Sequence, residues 1–199
     1  MTMVSRAWMV DPVEFHLDVE VLRRSADGQL ALRDRAVIVW EKSDPIVRSY
    51  LELLTISDPE DWQVAPEPHH LVEWYRVLMA PYLIPTRAFR CPDLLRRRLP
   101  DLDWPPSEAR RLARGRELLD LVEQFGPGAL AEELSPHMRM GNKGWLGHDD
   151  IRRALDHMRG LRREQFRDQQ DLVPVVENAF EVLEAVATKP DHVLLTITD

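Results

Sequence analysis

From Val13 to Val21 apolar and polar residues alternate without a break, Val13, Phe15, Leu17, Val19 and Val21 against Glu14, His16, Asp18 and Glu20. A period of two is that of a half-buried strand, with one face on a core and the other toward water. The alternation therefore predicts a strand at about 13–22 in a sheet with one covered face. Asp27-Gly28 follows, a pair suited to the positive φ of a tight hairpin turn, so a return strand is expected at about 29–33. Ala36 to Trp40 is a β-branched run that predicts a third strand, 36–41, with Asp34-Arg35 as a turn or bulge before it. Residues 4–10 are a further candidate. His192 to Thr198 are strand formers too apolar to lie exposed, and are expected to pair into the same sheet.

The chain changes character at Asp44-Pro45, a capping acid followed by proline at a first helical position. Ile46, Val47, Tyr50, Leu51 and Leu54 then keep helical spacing, and a polar, proline-rich link over 57–68 separates this helix from one over 69–80. Prolines at 81, 85, 92, 100, 105 and 106 break the next stretch, leaving a short helix over 93–99. A long helix is expected from Ser107 to Gly126, and amphipathic helices over 149–165 and 171–188. The reading is an α+β fold in one domain spanning 1–199: an N-terminal antiparallel meander within a β-rich 1–42, a helical 44–188, and a terminal strand at 192–198.

At 199 residues, 44% hydrophobic and with six tryptophans, the chain is too apolar for disorder and long enough to bury a substantial core. No apolar run approaches the roughly 20 residues that cross a bilayer, and the first residues lack the basic start and apolar stretch of a signal peptide. A cytoplasmic, membrane-free protein is expected. One cysteine, Cys91, cannot form an internal disulfide, and with Arg90 and Pro92 beside it reads as an inert thiol rather than a nucleophile.

The formal net charge is −8, which repels phosphate backbones and argues against nucleic acid as partner. The distribution is uneven. Residues 87–116 carry nine arginines, Arg87, Arg90, Arg96, Arg97, Arg98, Arg110, Arg111, Arg114 and Arg116, against four acids. Arginine forks suit bidentate contacts, and this island, with Trp104 in a proline-rich loop, reads as a surface that docks an acidic protein or another copy of the chain. The expected binding residues are Arg96, Arg97, Arg98, Arg110, Arg114 and Trp104.

Two constellations carry possible chemistry. His69, His70 and Glu73 open a helix, with His70 and Glu73 three apart on one face, a usable pair for a metal or a general base. His148, Asp149, Asp150 and His157 are remote candidates to complete such a site, but no His-Glu-x-x-His or related spacing is present, and the same residues suit a solvated helix start. Gly141 to Gly147 is a glycine-spaced loop before a helix, similar to phosphate cradles, yet it matches neither dinucleotide nor Walker patterns, and Asp149 and Asp150 occupy the anion position. No metal and no cofactor are expected. A good core, a segregated basic patch and the absence of a complete catalytic set point to a non-catalytic binding or regulatory protein, of the kind seen among immunity proteins and antitoxins. The alternative is a metal-assisted hydrolase or related enzyme built on His69, His70, Glu73, His148, Asp149 and His157.

Overall fold

A computed structural model describes residues 4–55, 60–63, 67, 69–138 and 143–198. In chain order these form β1 (Val4–Val10), α1 (Pro12–Arg23), α2 (Gly28–Lys42), α3 (Pro45–Leu54), α4 (His70–Leu78), β2 (Ile84–Pro85), β3 (Phe89–Arg90) and α5 (Pro92–Arg98). There follow α6 (Pro106–Arg114), β4 (Arg116–Glu117), α7 (Leu118–Phe125), α8 (Gly128–Leu134), β5 (Lys143–Leu146), α9 (His148–Gly160), α10 (Val173–Ala187) and β6 (Val193–Thr198). The fold is α+β. The chain divides into two compact units, one of Met1–Asp11, Ile84–Leu118 and Met140–Asp199, the other of Pro12–Leu83 and Leu119–Arg139.

The first unit holds one antiparallel sheet in the order β2-β1-β6-β5-β4, with β3 also paired to β1. β1 and β6 run along each other from Ser5↔Thr198 to Val10↔Val193, so an N-terminal and a C-terminal strand form its centre. Ala7, Met9, Leu146 and Leu194 point into a core shared with α5, α6, α9 and α10. Trp8, Val10, Leu195 and Ile197 point to the other face and are buried as well. Burial on both faces explains why Val193 to Ile197 read as a nearly continuous apolar run instead of an alternation.

At the β4 edge two glycines let backbones meet. Gly115 has φ +72°, and a Cβ on Gly144 would lie 1.9 Å from the Arg114 carbonyl oxygen, so neither position accepts a side chain. Gly115 also breaks the helix expected from 107 to 126 into α6 and α7, with β4 between them. The glycine-spaced loop is corrected too: Lys143–Leu146 is the strand β5, while Gly141 and Asn142 lie outside the described residues.

The meander is corrected. Residues 13–22 lie in α1, and both 29–33 and 36–41 lie in α2. In α1 the buried residues are Pro12, Phe15, His16 and Val19, which is helical spacing. Val13, Leu17 and Val21 form a second stripe at i, i+4 and i+8 that stays on the surface, 52%, 58% and 70% exposed. Two helical stripes offset by two residues reproduce the alternation of a strand. In α2, Leu32, Ala36 and Val39 turn inward at helical spacing, and packing on α1 and α4 overrides the β preference of Val37-Ile38-Val39. The expected Asp27-Gly28 hairpin turn is corrected as well: Asp27 has φ −120° and immediately precedes α2, whose first residue is Gly28.

The second unit is all helical among its described residues. Asp44 caps α3, its Oδ1 accepting from the N–H groups of Ile46 and Val47 at 2.8 and 3.0 Å. α4 is buried on every side. The His16 Nδ1–H donates to the Pro12 carbonyl, leaving Nε2 to accept from the Tyr75 hydroxyl at 2.9 Å. Burial pushes the His16 pKa down, outweighing the bond to Pro12, so the ring is neutral near pH 7. The unfolded chain takes up this proton at about 6.5 and the folded chain only lower, so the stability due to His16 is complete above about 6.5 and declines below it. Urea unfolding at pH 7.5 and 5.5 is expected to show that loss in wild type and a smaller loss in His16→Gln.

Candidate functional site

The arginine island belongs to the sheet unit, and its members divide into two groups. Arg96 pairs with Asp93 at 3.2 Å, Arg98 with Asp101 at 3.5 Å, and Arg87 with Glu181. Arg97, Arg110 and Arg114 are exposed on the packed pair α5 and α6, with no acid in ion-pair reach among the described residues. Trp104, expected on the surface, is buried, and its ring stacks on His157 with centroids 5.0 Å apart.

Arg90, on β3, is exposed as well and makes no ion pair among the described residues, whereas Arg111 and Arg116 converge with Arg153 on one acid. Asp150 sits in the first turn of α9, where Oδ2 accepts the Gly147 N–H at 3.3 Å and so fastens the helix start. Arg116, from β4, donates through Nε to Oδ2 at 2.7 Å and through a terminal nitrogen to Oδ1 at 3.2 Å. Arg153, one turn along α9, reaches Oδ1 at 2.9 Å, and Arg111, from α6, reaches the same oxygen at 3.5 Å. Trp145 on β5 holds the arrangement from behind: its indole N–H donates to the Glu117 carbonyl at 2.9 Å, and its ring lies 5.2 Å from the Arg116 guanidinium carbon. The Asp150 side chain is only 3% exposed. Burial would raise its pKa, but the hydrogen bond and charge of Arg116, the Gly147 N–H and the charge of Arg111 prevail and hold the carboxyl below its ordinary range.

This hub opens on a cavity of about 190 Å³ between α6 and α9, walled by Trp104, Ser107, Glu108, Arg111, Asp150 and Arg153 with Leu112, Leu146 and Ala154. On its Trp104 side, the His157 Nδ1–H donates to the Arg153 carbonyl at 3.0 Å, and a Glu108 oxygen stands 3.3 Å from the same nitrogen.

The residues of the metal alternative divide between the two units. His69, His70 and Glu73 belong to the helical unit, whereas His148, Asp149 and His157 all lie on α9 in the sheet unit. His70 and Glu73 share a helix face as their spacing requires, but both are buried rather than solvated. His70 Nδ1 accepts the Glu67 N–H at 3.0 Å, and Glu73 accepts from the Trp62 indole N–H at 3.2 Å and lies beside the charge of buried Arg76. His69 is exposed next to Glu67, and Asp149 is exposed and paired with Arg152. Among the described residues no group of three or more His, Cys, Asp or Glu side chains is arranged to hold a metal ion. Cys91 is partly buried against the core at the start of α5, with a left-handed φ of 47°. No helix among the described residues is long and apolar enough to cross a membrane.

Sequence reasoning missed the hub. In the sequence Asp150 stands out only as an acid in the anion position of a helix start and as a remote metal candidate, Arg111 and Arg116 as two members of a run, and Arg153 not at all. The Arg-Gly-Arg-Glu stretch at 114–117 was the available signal, since a glycine between arginines in a helical pattern marks a close backbone approach. No protein-family model matches the chain, and comparisons with curated proteins and with solved structures give no match either.

Proposed function

We propose that this protein is a non-catalytic binding protein that docks an acidic protein partner on the face formed by α5 and α6. The observation that carries the reading is the pairing pattern. Arg97, Arg110 and Arg114 stand exposed on one face with no acid in ion-pair reach among the described residues, as Arg90 does on β3, while Arg87, Arg96, Arg98, Arg111 and Arg116 have acidic partners. Cationic groups left open on a chain of net charge −8 focus a local positive field that steers an acidic partner into one orientation. Arginine retains bidentate contacts when water is squeezed out.

Joint replacement of Arg97, Arg110 and Arg114 by glutamate tests this, because exposed side chains without partners can change sign at little cost to stability. A partner isolated from the native host, with nuclease present, is expected to associate with the variant at least about tenfold more slowly at low salt, with dissociation little altered. Equal association rates for both proteins would end the reading. Self-association seen in sedimentation of wild type and lost in the variant would assign the face to a second copy of the chain. Binding that disappears with nuclease would assign it to nucleic acid.

A further inference from the structure

A cavity of about 310 Å³ lies within the helical unit, walled by α1, α2, the end of α4 and the turn after it. Every lining residue belongs to that unit, so the cavity stands independently of the docking reading, which concerns the sheet unit. We propose that it binds a free α-amino acid with an apolar side chain, the ammonium group on Asp18 and the carboxylate on Arg35.

The walls set the body of the ligand. Phe15 and Val19 from α1, Val39 from α2 and Leu78 from α4 line the cavity and are buried, with Leu22 and Pro81 beside them. Val21, 70% exposed, carries the apolar surface out to the mouth. A branched or aromatic side chain seated there exchanges water for apolar contact. The volume lies at the low end of the roughly 300–1,000 Å³ of small-molecule sites, which suits a ligand the size of one amino acid.

Two opposite charges set the head. Asp18 and Arg35 are the charged residues of the lining, so the cavity is neutral as a whole and suits a ligand that is neutral as a whole. They are not paired with each other. Asp18 has one partner among the described residues, the Tyr82 hydroxyl, which donates to Oδ2 and leaves the carboxylate with unused lone pairs. Arg35 makes no hydrogen bond or ion pair among the described residues, whereas its neighbour Arg33 is held by Asp34. Its guanidinium fork is therefore open to a carboxylate.

Tyr82 places both charges at one end. Burial first, then the hydrogen bond and charge of Asp18, push the Tyr82 pKa up, with Glu14 adding to them and Arg35 opposing. Asp18 and Arg35 thus both stand near the Tyr82 hydroxyl, with the apolar walls beyond it. Glu14, one turn before Asp18 on α1, lies outside the lining and deepens the negative potential on the side given to the ammonium group. An α-amino acid has the matching form: both charges on one carbon, and the apolar group on its third arm. It bridges two charged side chains that do not meet. Asp18 and Arg35 are exposed, so the head of the ligand keeps contact with water while its body is covered, which avoids the cost of burying an ion pair. The bond from Tyr82 holds Asp18 in place beforehand, which reduces the rotamer entropy lost on binding.

The probes are leucine and phenylalanine, titrated into the intact protein, with glycine and with the amide and N-acetyl derivatives of both probes as comparisons. Titration calorimetry and the methyl resonances of Val19, Leu22, Val39 and Leu78 read binding. Saturable, single-site binding of at least one probe, with those methyls moving most, is the expected result. Glycine lacks the apolar body and each derivative lacks one charge, so all are expected to bind at least about tenfold more weakly than the probe. Arg35→Gln is expected to remove the preference for the amino acid over its amide, and Asp18→Asn the preference over its N-acetyl derivative. Substitutions at exposed positions cost little stability, and the comparisons on wild type hold without them. Arg97→Glu with Arg110→Glu is expected to leave binding unchanged, which separates this site from the docking face. The proposal is overturned if neither probe saturates at millimolar concentration or if the resonances that move lie outside the cavity. It is equally overturned if the amide and the N-acetyl derivative bind as tightly as the amino acid.

Discussion

A chain cut before Val193 is expected to lose the cooperative unfolding transition of the sheet unit altogether. β6 pairs on both sides, with β1 along Ser5–Val10 and with β5 along Lys143–Leu146, so its removal leaves two unsatisfied strand edges at the centre of the sheet. It also removes Val193, Leu194, Leu195 and Ile197, all buried. At about 2 kcal/mol for each such side chain the loss is roughly 8 kcal/mol, comparable to the roughly 5–15 kcal/mol that holds a typical domain. Hydrogen exchange of the β1 and β5 amides, together with the thermal transition, reads the result. Retained protection in β1 after truncation would mean that β6 is peripheral to the fold.

Asp150→Ala is expected to be the most damaging single substitution at the candidate site, by about 3 kcal/mol, because it takes the shared acceptor from three guanidinium groups and removes the acceptor that fastens the start of α9. The pH dependence follows from the lowered carboxyl. The unfolded chain protonates Asp150 near 3.9 and the folded chain only below that, so its stabilisation is complete above the ordinary carboxylate range and is lost as the pH falls toward the depressed value. Asp150→Asn should therefore flatten the acid limb of the stability curve as well as lower its plateau. Denaturant unfolding of wild type and variant between pH 7 and 3 checks both effects. A variant as stable as wild type at pH 7 would show that the arginines hold the region without their common acid.

These two expectations fall on features of unequal visibility in the sequence. The β6 segment announces itself, since apolar β-formers in succession have one stable destination, a strand covered on both faces. The boundaries of α3, α4, α5 and α10 are similarly visible, because capping acids and prolines act locally. The N-terminal helices are not. Val13, Leu17 and Val21 are apolar yet exposed, and their interleaving with Phe15 and Val19 produces a period of two that no local rule separates from a strand. Burial of His16 decides the matter, and that burial depends on Tyr75, far along the chain. The candidate site was illegible for the same reason. Arg111, Arg116 and Asp150 are ordinary surface residue types, and only the β4 to β5 pairing and the packing of α6 with α9 bring them to one point.

The pairing of β1 with β6 also orders events during synthesis. β1 leaves the ribosome before the other described elements and its long partner β6 after them, so Trp8, Met9 and Val10 wait through synthesis of all the residues between the two strands with only the short β2 and β3 to pair with. The segment Pro12–Leu83, which supplies most of the helical unit, is meanwhile complete early. Closing the loop between β1 and β6 is the most non-local step the chain must take, and such steps are slow because the entropy of closure comes before any contact that rewards it. An unpaired apolar strand is also a template for pairing with another nascent chain. Holdase chaperones that cover β1 until β6 emerges should accordingly raise the yield of folded protein more than any change to the helices.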